Sequence, residues 1–93
     1  MLSVVKANYK DEFKIIVEFN DKKEGEVDLK DVIFNGKIKS FEKLQDLEKF
    51  KQFQVDYTLI WDDGLDLAPE YLYYRAFKNE DSLKDKFEEW GYI

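Results

Sequence analysis

Phe13, Ile15, Val17 and Phe19 fall on alternate positions, with Glu12, Lys14 and Glu18 between them and Ile16 as the lone apolar exception. Successive side chains of an extended chain point to opposite faces, so this pattern describes a strand with one face buried and one solvated. Such a strand must pair, and its neighbours carry matching signals. Residues 4–9 read as a strand before it, joined through a short Lys10-Asp11 turn. After the polar Asn20-Asp21-Lys22-Lys23 turn, Gly25, Val27 and Leu29 alternate against Glu24, Glu26 and Asp28. The three runs predict an antiparallel β-meander.

Further along, Val32, Ile33 and Phe34 form a short apolar patch ended by the turn dipeptide Asn35-Gly36. Ser40 is placed to cap a helix over residues 41–51, with Phe41, Leu44, Leu47 and Phe50 as its apolar stripe. Residues 53–61 read as a strand in which Phe53, Val55, Tyr57, Leu59 and Trp61 alternate with Gln54, Asp56 and Thr58. Asp62-Asp63-Gly64 then predicts a tight hairpin to Leu65–Leu67. Pro69, the only proline, suits the first turn of a helix running to Phe77. A last helix carries Leu83, Phe87 and Trp90 on one stripe and stops at Gly91. The class expected is α+β, an antiparallel β-meander plus a C-terminal β-hairpin packed with two to three helices. At 93 residues the chain fits one domain. Residues 1–77 are its body, and residues 78–93 are a helical extension packed on it or on a second subunit.

The residue types limit the chemistry. There is no cysteine, which excludes disulfides and thiolate catalysis, and no histidine, the commonest general base and transition-metal ligand. Ser40 and the other serines lie in no nucleophile-elbow motif, and the four glycines are scattered, so no phosphate loop is formed. The expectation is a protein without catalytic residues or cofactors. The N-terminus lacks the features of a signal peptide, and no apolar run approaches the ~18–20 residues of a membrane span. A cytoplasmic location is expected. The net charge of −6 falls mostly in residues 47–93, which argues against a nucleic-acid surface there.

Two sets of residues stand out. Asp62, Asp63, Asp66 and Glu70 place four carboxylates close together, the oxygen chemistry that Mg²⁺ or Ca²⁺ takes. The spacing is not that of an EF-hand, and a turn followed by an acidic helix start explains the same residues. They are weak metal candidates. The aromatic residues are more suggestive. The 69–77 helix is apolar almost all round, so a second face needs cover, and a partner chain is one source of it. Trp61, Tyr71, Tyr74, Phe87 and Trp90 are the contact candidates.

The landmarks Phe19, Asp21, Gly25, Val27, Asp28 and Leu29, then Phe41 and Leu44, then the run Trp61-Asp62-Asp63-Gly64-Leu65-Asp66-Leu67-Ala68-Pro69-Glu70 to Leu72-Tyr73 resemble the bacterial family known as domain of unknown function 2442. The resemblance covers roughly residues 3–74 and carries no catalytic residues. It implies a short stand-alone protein, often encoded beside another small protein in the manner of a toxin–antitoxin pair. Some relatives carry a helix-turn-helix domain after this one, but the residues beyond Phe77 are too few for that unit. The function expected is a non-catalytic protein-interaction module with a protein partner or a second copy. A divalent-metal protein using the Asp62, Asp63 and Asp66 turn and a transcription-related accessory domain are the alternatives.

Overall fold

A computed structural model of the chain describes residues 1–93, the side chain of Asp63 excepted. The meander forms as the alternation requires. Strands β1 (Val4–Asp11), β2 (Lys14–Phe19) and β3 (Glu24–Asp28) pair antiparallel in the order β1-β2-β3. Ile15 sits opposite Tyr9 and Val27, and Val17 opposite Ala7 and Gly25, which sends one apolar face into the core. On the solvated face, Glu26 takes an ion pair of 2.5 Å from Lys10, two strands away across Ile16. The first turn lies later than the expected Lys10-Asp11. β1 continues through Asp11, and the chain reverses at Glu12-Phe13, with Glu12 at a positive φ of 46°.

The second sheet contains a larger departure. Residues 53–61 are not one strand. β4 (Gln54–Asp56) and β5 (Thr58–Trp61) pair antiparallel with each other, and Tyr57, at φ 57°, is the residue on which the chain folds back. Alternation cannot reveal such a reversal. Folding about position 57 pairs 55 with 59 and 54 with 60, so every partner keeps the same parity. Strand β6 (Leu65–Leu67) completes the sheet, in the order β4-β5-β6, with Trp61 opposite Leu65. The Val4 amide donates to the Tyr57 carbonyl at 2.7 Å and joins the two sheets.

The apolar patch at 32–34 belongs to a short helix, α1 (Lys30–Asn35). The helix expected over 41–51 divides into a 3-10 segment, Lys39–Gln45, and α2 (Leu47–Phe50). Asp46 lies between them in extended conformation and caps α2, its Oδ1 accepting from the Glu48 amide at 3.0 Å. Ser40 makes no cap. Phe41, Leu44, Leu47 and Phe50 are three residues apart, the spacing that eclipses side chains on a 3-10 helix and drifts on an α-helix. Helix α3 (Pro69–Phe77) begins on its proline as expected. A 3-10 turn at Asp81–Leu83 leads into α4 (Lys84–Glu89), where Gly91, at φ 86°, ends the helix and the Tyr92 amide returns to the Phe87 carbonyl at 3.0 Å.

The class is α+β, as the sequence predicts. α3 lies against β3. Gly25 is what allows the approach, because a Cβ there would lie 2.7 Å from Phe77 Cε1. The Tyr73 ring packs edge-on to Phe19, Phe77 and Phe87, which seals the core between sheet and helices. Among the described residues no helix is long and apolar enough to cross a membrane.

Candidate functional site

α1 starts where β3 ends, with Asp28 Oδ1 accepting from the Lys30 amide at 3.0 Å. Ile33 turns inward and is buried, which directs Val32 and Phe34 elsewhere on a helix of less than two turns. Two side chains fix its position. Gln45 Nε2 donates to the Ile33 carbonyl at 3.3 Å. Arg75, on α3, donates from Nη2 to the Asp28 carbonyl at 2.7 Å and lies 3.9 Å from Asp31 Oδ2. After α1 the chain doubles back tightly. A Cβ at Gly36 would lie 2.2 Å from the Val32 carbonyl oxygen, so only glycine fits this return.

The result is an open groove of about 470 Å³ between α1, the 36–38 segment, β6 and α3. Val32, Ile38, Leu67 and Tyr71 give it mostly apolar walls, and Asp31 and Arg75 lie at its rim. Ile38 is 57% exposed, and neighbouring Phe34 is 43% exposed with its ring against Phe13 at 5.1 Å. A neighbouring cavity bordered by Lys39, Ser40, Glu42 and Leu65 is lined about equally by polar and apolar surface.

The contact candidates divide sharply. Trp61 is 3% exposed, lies tilted against the Phe50 ring and donates its indole N–H to the Phe50 carbonyl at 2.8 Å. Phe87 is 1% exposed. Both belong to the core of the chain; a ring whose area is already buried has little left to give a partner. Tyr74 packs edge-on to Phe87 and stacks on Tyr92 at 5.0 Å, and Trp90 lies edge-on to Tyr73 at 6.0 Å. The 78–93 segment thus covers α3 within the same chain. Burial raises the Tyr92 hydroxyl pKa, helped by Glu70 and Tyr71. Tyr71 alone of the five borders the groove.

The carboxylates do not converge. Asp62 and Asp66 are exposed, and Asp66 accepts from the Tyr57 hydroxyl at 3.4 Å. Glu70 is half-buried, and the Asp63 side chain lies outside the described residues. Among the described residues no group of three or more acids is placed to hold a metal ion. Sequence reasoning missed the groove itself. Its traces were Tyr71 and the Val32-Ile33-Phe34 patch, too short to assign, while Ile38 and Leu67 come from separate elements that only the fold brings together.

Residues 4–78 match the model of a family described as protein of unknown function (DUF2442). No curated protein and no solved structure matches the chain.

Proposed function

The chain belongs to the DUF2442 family of proteins of unknown function, and on that premise we propose that it is a non-catalytic protein-interaction module whose docking surface is the groove between α1 and α3. The observation that carries this reading is the open apolar recess itself. Ile38 stands exposed beside half-buried walls of Val32, Leu67 and Tyr71, whereas the large rings elsewhere in α3 and α4 are packed on one another. An open apolar recess with a polar rim suits a bulky side chain from another protein. With neither histidine nor cysteine in the chain, the groove lacks the commonest general base and the thiol nucleophile. The family resemblance supports a neighbouring small protein as that partner.

A photo-cross-linking amino acid at position 38 tests the proposal in the native cell. A discrete protein adduct at 38, with none from the same probe at exposed Lys49, is the expected outcome. Equal, diffuse labelling at both positions overturns it.

A further inference from the structure

This inference rests on the docking reading and concerns the chemistry of the guest. The chain as a whole is acidic, at −6, yet one wall of the groove is not. Between Leu29 and Phe41 the sequence carries Lys30, Lys37 and Lys39 against a single acid, Asp31. Asp31 is already turned toward Arg75, at 3.9 Å. The three lysines are exposed, and none forms an ion pair among the described residues. Other lysines are differently placed: Lys10 pairs with Glu26, and Lys23 with Glu80 at 2.6 Å. Lys37 and Lys39 flank Ile38, so an open apolar side chain stands between two unpaired cations at the lip of an apolar recess. On the other wall the charged residue bordering the groove is Arg75, which faces Asp31 at 3.9 Å. Beyond that mutually paired couple, the charge lining the groove is the cation Lys37.

We propose that the groove receives an acidic segment of a partner protein, a bulky apolar side chain entering between Ile38, Val32 and Tyr71 while flanking carboxylates lie along Lys37 and Lys39. The apolar anchor supplies affinity through buried area, and the charges select orientation and partner and quicken association. A nucleic acid fits less well, because the recess is mostly apolar, whereas a phosphate backbone calls for a broad cluster of cations.

The test uses the full chain and a fluorescein-labelled short peptide with one central phenylalanine flanked by glutamates, read by anisotropy. Controls replace the phenylalanine by serine, replace the glutamates by lysines, or substitute a single-stranded oligonucleotide. The glutamate–phenylalanine peptide should bind tightest and weaken severalfold on going to about 0.15 M salt. The double variant Lys37→Glu, Lys39→Glu should weaken it by about tenfold, and Ile38→Asp should abolish it. All three positions are exposed, so an unchanged thermal midpoint confirms that the fold persists. Tighter binding of the lysine peptide or of the oligonucleotide overturns the proposal, as does indifference to the double charge reversal. If adducts still form at position 38 in the cell in those cases, the docking reading stands and only the acidic guest is rejected; if they do not, both fall.

Discussion

The Tyr73 hydroxyl donates a hydrogen bond of 2.7 Å to Asp21 Oδ2, tying the middle of α3 to the turn between β2 and β3. Asp21 also accepts from the Lys23 amide at 2.9 Å, and Lys23 reaches over the Phe77 ring to Glu80. One carboxylate thus organises both the turn and the helix laid on it. Tyr73→Phe keeps the ring and removes the bond. It should lower stability by about 1 kcal/mol, because Asp21 retains its backbone partner, and the urea midpoint measures this.

The same pair makes stability depend on pH at both ends. Burial works to raise the Asp21 pKa, but the Lys23 amide, the Tyr73 hydroxyl and the Lys23 ammonium together hold it below its ordinary 3.8. Its contribution is therefore complete above that pH and is lost as the pH falls through the folded-state value. Tyr73 behaves in the opposite sense. Burial, then its bond to Asp21 and that residue's charge, raise its pKa above the ordinary 10.0. Its contribution is complete below pH 10.0 and is lost as the pH rises toward the folded-state value. Urea midpoints across the pH range should fall at both extremes, and Tyr73→Phe should flatten the alkaline fall.

Gly25→Ala should cost about 1–3 kcal/mol, the usual cost of overpacking. The added methyl would meet Phe77 Cε1 at 2.7 Å and Ala76 Cβ at 3.1 Å. Phe77→Leu should recover part of the loss in the double variant, and a thermodynamic cycle over the four proteins gives the coupling.

Trp61→Phe and Phe87→Ala should destabilise the free protein. The first leaves the buried Phe50 carbonyl without its indole donor and costs about 2–3 kcal/mol. The second opens a cavity at a fully enclosed ring and costs about 3–5 kcal/mol. Denaturation midpoints of the isolated chain check both, and a contact role for either residue would leave those midpoints unmoved.

Tyr57→Gly distinguishes a fold-back from a continuous strand. In a strand centre glycine costs about 0.5–1 kcal/mol. At φ 57° it relieves a backbone conformation that tyrosine rarely adopts, so the variant should be neutral or up to about 1 kcal/mol more stable. Thermal unfolding gives the sign.

The elements legible in the chain were those whose signal is local. The meander follows from Phe13, Ile15, Val17 and Phe19, because a one-residue slip would expose all four. α3 follows from Pro69 and the crowded tyrosines, and the helix stop from Gly91. The groove had no local signal, since Val32, Ile38, Leu67 and Tyr71 come from four separate segments.

By itself, then, the sequence determined which faces must be hidden and which side chains are missing from the chemistry. Tertiary packing decided where the chain turns and which rings stay open. Parity is unchanged by reversal at Tyr57, and a three-residue spacing reads almost alike on a 3-10 and an α-helix until neighbours choose. Trp61 and Phe87 are large apolar side chains in the sequence just as Tyr71 and Ile38 are, but burial depends on what lies opposite, a non-local quantity.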